Sequence, residues 1–112
     1  MAELVILEPA QRELEEIALT HLHLSGPQSA RRITDLIYDT LERLARFPLS
    51  GHPPKDRWLT QEGYRTVIAG KYLAVYRFIP AEDTVYICHI AHGARDYPAL
   101  FRRLLREDDT PS

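Results

Sequence analysis

Residues 64–101 decide the fold of this chain, and they read YRTVIAGKYLAVYRFIPAEDTVYICHIAHGARDYPALF. Three segments rich in aromatic and β-branched residues follow one another here, at 64–68, 72–79 and 84–91. Such composition is typical of β-strands. The connections contain glycine or proline and are only a few residues long, and connections of that length join antiparallel neighbours. The stretch therefore predicts a three-stranded meander.

The residues before this stretch predict one more strand and two helices. Residues 3–7 are apolar and β-rich, which indicates a first strand. Pro9 suits the start of a helix that ends before Ser25-Gly26-Pro27. A second helix is expected over about 28–47. Each helix carries an apolar stripe at spacings of three and four, so the pair should form a hairpin that buries both stripes.

Residues 97–106 have helical periodicity and predict a short C-terminal helix. The proline-rich segment 48–54 is expected to be a connector. Helices first and strands later give an α+β class. We predict one domain over 1–112: an N-terminal strand, a two-helix hairpin packed on a twisted antiparallel sheet of about four strands, and a short C-terminal helix.

Composition is that of one small globular domain. The chain has 112 residues, of which 45% are hydrophobic and 27% charged. No apolar stretch approaches the roughly 20 residues that a membrane span needs. The acidic start does not resemble a signal peptide, and Cys88 is the single cysteine. We therefore expect a cytoplasmic protein without a membrane partner.

Charge is distributed unevenly along the chain. Residues 1–50 hold five arginines against eight acidic residues, whereas residues 51–106 hold nine basic residues against five acidic ones. The C-terminal half could thus meet an acidic partner, or its charges could form an ordinary solvated surface. The net charge of −2 argues against general affinity for nucleic acid, and we expect no sequence-specific DNA binding by the chain alone.

No metal or cofactor site is indicated. His21 and His23 point in different directions on a helix, and His89 and His92 should face opposite sides of the sheet. Cys88 and His89 should alternate faces for the same reason. A zinc site would need at least three converging ligands. The chain also has no glycine-rich phosphate loop and no nucleophile elbow, so no cofactor is expected.

Two strand arginines are candidate site residues. Alternation places Arg77 on an otherwise apolar face, where its guanidinium must reach solvent or find an acceptor. One interpretation is a salt bridge to Asp96 or to a helix carboxylate. The other is a positive platform in a groove, for a phosphate or for an acidic partner peptide. Arg65 lies on the preceding predicted strand.

The segment after the last predicted strand holds further candidates. His92, Arg95, Asp96 and Tyr97 follow a rigid sheet, where binding residues are often found. Asp96 could instead cap the last helix, which leaves His92 and Arg95 without a structural explanation. The strand tyrosines are expected to pack in the core, although tyrosines can also stack on bases.

The order and spacing of Gly63-Tyr64-Arg65, Tyr72, Tyr76-Arg77 and His92-Gly93-Ala94-Arg95-Asp96 resemble the ParE/RelE superfamily of bacterial toxins. The resemblance covers nearly the whole chain. It implies a small α+β toxin of a type II toxin–antitoxin module, held inactive by a cognate antitoxin whose C-terminal segment wraps the toxin and folds on it.

Two mechanisms divide that superfamily. RelE-like members cleave mRNA on the ribosome, which requires an acid, a base and cationic groups, whereas ParE-like members (plasmid stabilisation proteins) inhibit DNA gyrase. RelE-like enzymes usually carry an arginine directly after the first tyrosine of the third strand, and here that residue is Leu73. RelE-like enzymes carry a cluster of basic residues on the second and third strands, and this chain has fewer basic residues there. The resemblance therefore favours a ParE-like toxin without enzymatic activity.

The resemblance leaves a RelE-like endoribonuclease and a non-toxic interaction domain as alternatives. His92 and Tyr97 would be the catalytic candidates of a nuclease. For either mechanism we expect one region of the surface to bind the target or the antitoxin, formed by Arg65, Arg77, His92, Arg95 and Tyr97.

Overall fold

The computed structural model describes residues 1–93 and 96–108, and it is an α+β fold. The elements in chain order are β1 (Glu3–Ile6), α1 (Glu8–Ser25), α2 (Pro27–Arg46), α3 (Arg57–Gln61), β2 (Tyr64–Ala69), β3 (Tyr72–Ile79), β4 (Thr84–His92) and α4 (Tyr97–Asp108). Within these described residues, no helix has both the length and the apolar character needed to cross a membrane.

The four strands form one sheet in the order β1-β4-β3-β2. The meander is as predicted, because β3 is antiparallel to both β2 and β4. The sheet as a whole is mixed rather than antiparallel, since β1 pairs with β4 in parallel. β1 lies beside a strand that is remote in sequence, so no hairpin turn sets its direction.

The helical hairpin covers one face of the sheet. Gly26, with φ of +90°, joins α1 to α2 in a backbone conformation that favours glycine. Ile37, Leu41 and Leu44 of α2 are each about 1% exposed, and they pack in a core that includes Tyr76 and Ile87. Most of the predicted apolar stripe of the second helix therefore lies in the larger core, whereas Leu36, which was predicted in the same stripe, is 43% exposed.

The other sheet face is covered by α3 and α4. Leu59 of α3 and Phe101 of α4 are fully buried in a second core with Val75 of β3. The short helix α3 was not predicted, because five residues are too few for apolar periodicity to show. Asp56 caps it by accepting a hydrogen bond from the backbone N–H of Leu59 at 3.0 Å.

A β-bulge in β4 overturns one expectation from simple alternation. Val75 pairs with His89 while its neighbour Tyr76 pairs with Ile87, so Cys88 is the extra residue. Cys88 lies in the core beneath α4, and the ring of His89 stacks against Phe101 of α4. Cys88 and His89 thus share a face, contrary to the prediction that they alternate.

Candidate functional site

Arg65 holds in place the connector between α2 and α3, which in the structure spans residues 47–56. Its Nη2 donates hydrogen bonds to the carbonyl oxygens of Leu49 at 3.0 Å and of Gly51 at 2.8 Å. The same connector is joined to β2 by two backbone hydrogen bonds between His52 and Thr66, each 2.8 Å long. Nη2 of Arg65 is therefore bound to backbone acceptors of its own chain.

Arg65 and Arg77 lie on opposite faces of the sheet. Arg65 pairs across strands with Tyr76, whose side chain is in the hairpin core, whereas Arg77 pairs with Tyr64, whose side chain is in the core under α4. Directly paired residues share a face of the sheet. The expectation of one common region therefore fails for these two arginines.

Arg77 shares a sheet face with Leu73 and Val75, as strand alternation predicted, and this face is the one covered by α4. Its guanidinium carbon is 4.2 Å from the centroid of the Tyr64 ring, which is cation–π geometry. Its Nη2 is 3.9 Å from a carboxylate oxygen of Glu62, directly after α3. The ion-pair partner is thus Glu62 rather than Asp96 or a helix carboxylate, and the contact is longer than a hydrogen bond.

A cavity of about 290 Å³ opens beside Arg77, and we call it the Arg77 cavity. It lies between the start of α1, the sheet and the C-terminal part of α4. Its lining residues are Leu7, Pro9, Tyr64, Arg77, Ile79, Tyr86, Cys88 and Leu105. Tyr86 hydrogen-bonds to the carboxylate of Glu82, and that bond raises the pKa of the Tyr86 phenol above its ordinary value. Tyr86 is therefore neutral at physiological pH.

A larger cavity of about 530 Å³ lies at the end of the sheet nearest the β2–β3 turn, and we call it the lysine cavity. It lies between the connector, the β2–β3 turn, the end of β4 and the start of α4. Its lining residues are His52, Pro53, Lys55, Thr66, Ile68, Gly70, Lys71, Tyr72, Leu73, His92, Gly93 and Tyr97. Among the described residues, none that lines this cavity is acidic.

His92 and Tyr97 are the two predicted site residues that come together, because both line the lysine cavity. The ring of His92 meets Tyr72 edge-on, with centroids 5.5 Å apart. The hydroxyl of Tyr72 is in turn 3.0 Å from Nε2 of His21 on α1. Arg95 lies outside the described residues.

Three residues of the lysine cavity were missed from the sequence: His52, Lys55 and Lys71. The sequence offered a signal for Lys55 and Lys71, since they are the only lysines among the fourteen lysine and arginine residues. They are sixteen positions apart, in the connector and in the β2–β3 turn. Only the fold shows that the connector returns alongside β2 and brings both lysines to one cavity.

The side chain of His89 is held by contacts within the fold. Its Nδ1 is 3.2 Å from a carboxylate oxygen of Glu13 on α1, and the other oxygen of that carboxylate accepts the backbone N–H of Ile90 at 2.9 Å. His89 and His92 face opposite sides of the sheet, as predicted, because His89 pairs with Val75 and His92 with Tyr72. Across residues 1–93 and 96–108, no group of three or more His, Cys, Asp or Glu side chains could hold a metal ion.

The fold and the sequence both match known toxins. The family model of the ParE toxin of the type II toxin–antitoxin system parDE matches residues 4–97. The chain belongs to the ParE toxin family. No curated protein sequence matches it.

Solved structures of the ParE/RelE superfamily share the fold. The chromosomal ParDE system of P. aeruginosa is similar with a TM-score of 0.67 and 21% identity, over 82% of this chain and 96% of that one. The RelBE2 toxin–antitoxin complex of Mycobacterium tuberculosis gives 0.61 and 24%, over 81% and 96%. The isolated RelE toxin of E. coli gives 0.59 and 14%, over 93% and 99%.

Proposed function

We propose that this ParE-family toxin stops bacterial growth by binding DNA gyrase, without chemistry of its own, and that a cognate antitoxin neutralises it. The observation that carries the proposal is the match to the ParE family model over residues 4–97. The structure is consistent with a binding role. Leu73, at the sequence position where RelE-like enzymes usually carry an arginine, presents an aliphatic side chain in the lysine cavity. Arg65, a strand arginine beside the connector, donates from its Nη2 to two backbone carbonyl oxygens.

The target would bind at the lysine cavity and its rim. Lys55, Lys71 and His92 are exposed there, and Tyr97 is half-buried. A cationic rim around the exposed side chain of Ile68 and the buried side chain of Leu73 suits an acidic protein surface with an apolar anchor. Arg95 lies three residues after His92 in the sequence and is a candidate for the same surface.

Neutralisation by a partner is proposed from the family and from its structural relatives. The P. aeruginosa and M. tuberculosis structures are described as a ParDE system and a toxin–antitoxin complex, respectively. The corresponding partner here would be the product of an adjacent gene. Such a partner would cover the exposed cations of the C-terminal half, which the net positive charge of residues 51–106 favours.

An mRNA endoribonuclease is the second candidate, and the lysine cavity is the observation that favours it. The cavity brings two lysines, two histidines and Tyr97 around one volume. Imidazole and phenol groups can transfer protons, and lysines can stabilise a developing phosphorane. In this alternative His92 and Tyr97 would be the catalytic residues.

The test is inducible expression of the chain without an antitoxin, with thymidine and methionine incorporation followed over the first minutes. We expect DNA synthesis to fall first, and purified toxin to inhibit gyrase supercoiling in vitro. If protein synthesis falls first and mRNA is cut, the nuclease alternative replaces the proposal. Unimpaired growth with folded, soluble protein would overturn both.

A charge-matched pair of double variants locates the target site. Lys55→Ala/Lys71→Ala should weaken supercoiling inhibition by about tenfold or more, because both cations leave the rim of the cavity. Arg31→Ala/Arg43→Ala removes the same charge from exposed positions on α2 and should leave inhibition unchanged. Equal inhibition by the two variants would exclude the lysine cavity as the target site.

A further inference from the structure

The side chain of Arg77 has hydrogen-bonding capacity that the described part of the chain does not use. Its Nε is buried and has no hydrogen-bond partner among the described residues. Its Nη2 is 3.9 Å from Glu62, whose side chain is 46% exposed and therefore solvated. Arg65 also has a buried Nε without a partner there, but its Nη2 donates to two carbonyl oxygens. Of these two arginines, Arg77 is the one that lines a cavity.

The surroundings hold the Arg77 guanidinium in one orientation. The ring of Tyr64 lies 4.2 Å from the guanidinium carbon and leaves the edge of the group available. An arginine plane stacked on an aromatic ring presents its donors in a fixed fork, which fits a carboxylate. The entropy of ordering this side chain is thus lost on folding and not on binding.

The cavity around this fork selects the kind of ligand. Leu7, Pro9, Ile79 and Leu105 form apolar walls, and Arg77 is the basic residue among the described residues that line it. A phosphate is usually bound by several donors or cations, whereas one fork among aliphatic walls matches a single carboxylate carried by an apolar chain. With a volume of about 290 Å³, the cavity is near the small end for ligand sites and admits one or two side chains.

We propose that the Arg77 cavity is a docking site for an extended peptide segment of the antitoxin, and that it takes one Asp or Glu side chain flanked by aliphatic residues. This rests on the proposed neutralisation by an antitoxin. The carboxylate accepts from Arg77, which replaces the long contact to Glu62, and an aliphatic neighbour packs against Ile79 and Leu105. The target and the antitoxin then use different cavities, joined by α4: Tyr97 and Leu105 are separated by about 12 Å along the helix axis.

The test uses the 15N-labelled full chain and two acetylated tetrapeptides, Leu-Leu-Glu-Leu and Leu-Leu-Gln-Leu, each with an amidated C-terminus. The Arg77 Nε–H resonance reports the contact directly. We expect the Glu peptide to shift this resonance and to bind about tenfold more tightly than the Gln peptide. Arg77→Gln should abolish that preference, whereas Arg31→Gln on α2 should keep it.

Cys88 gives a second readout, because it is the chain's single cysteine and lines the same cavity. Bound Glu peptide should slow alkylation of Cys88 by iodoacetamide, and the Gln peptide should slow it much less. Equal behaviour of the two peptides in both assays, with the wild-type chain folded, overturns the docking site whether or not the chain arrests growth. A preserved preference for the Glu peptide in a chain that does not arrest growth overturns the proposed toxicity and keeps the docking chemistry.

Discussion

The hydroxyl oxygen of Tyr76 accepts the backbone N–H of Gly51 at 3.0 Å, and this contact fixes the connector to the centre of the sheet. The same hydroxyl donates to the carbonyl oxygen of Pro48 at 2.9 Å. Tyr76 is fully buried in β3, so the connector is held from beneath by a rigid element. The connector carries His52 and Lys55, and these contacts therefore help to form one wall of the lysine cavity.

Tyr76→Phe should lower the free energy of unfolding by about 1–3 kcal/mol. The ring is kept, but the N–H of Gly51 and the carbonyl of Pro48 lose their partner. Urea unfolding measures the change, with Tyr38→Phe, 40% exposed on α2, as the matched control. If both variants unfold at the wild-type midpoint, the hydroxyl contributes no stability.

Gly51→Ala should destabilise the fold by about 1–3 kcal/mol through crowding. A Cβ at this position would lie 2.5 Å from the Tyr76 hydroxyl oxygen and 2.6 Å from the carbonyl oxygen of Thr66. The loss should be smaller in a Tyr76→Phe background, because the nearest atom is then absent. Strictly additive losses in the double variant would contradict this, and Ser50→Ala, at an exposed neighbouring position, is the control.

The larger elements could be predicted from the sequence because they depend on local patterns. The third strand was predicted at 72–79, the bounds that the structure has, and the two hairpin helices end within one residue of the predicted ends. Apolar periodicity, Pro9 and the Gly26-Pro27 break are sufficient to predict the bounds of the two helices. The direction of β1, the bulge at Cys88 and the helix α3 depend on tertiary packing or are too short to leave a periodic signal.

The candidate site was less predictable, because it depends on residues that are remote in sequence. That His92 and Tyr97 lie near each other could be predicted, since His92 ends the last strand and Tyr97 begins the helix that follows it. The division into two cavities follows from the connector returning beside β2 and from α4 crossing the sheet. The hydrogen bonds of Arg65 to the connector could not be predicted, because a cation on a strand gives no sign of the backbone carbonyls that it will meet.

Leu44→Ala should lower the free energy of unfolding by about 2–5 kcal/mol. Leu44 is 1% exposed in the hairpin core, so truncation removes apolar contacts and leaves a cavity. Leu24→Ala makes the same chemical change at a position that is 80% exposed and should have little effect. Similar unfolding midpoints for the two variants would mean that Leu44 does not belong to the core.

Glu13→Ala should destabilise the fold by about 1–3 kcal/mol, because it leaves His89 and the N–H of Ile90 without this acceptor. Hydrogen exchange of the Ile90 amide should accelerate in the same variant. Glu16→Ala, three residues along the same helix at an exposed position, is the matched control. Unchanged exchange at Ile90 would contradict the role of Glu13.

Arg65→Gln should affect the fold rather than target recognition. The guanidinium donates to Leu49 and Gly51, so its loss should lower the free energy of unfolding by about 1–3 kcal/mol and make the connector more sensitive to limited proteolysis. Growth arrest should fall only in proportion to the folded fraction. Lys71→Gln provides the contrast, because Lys71 is exposed in a turn and lines the cavity, so we expect wild-type stability with weaker arrest. An Arg65→Gln protein that is as stable as the wild type but does not arrest growth would instead place Arg65 in direct contact with the target.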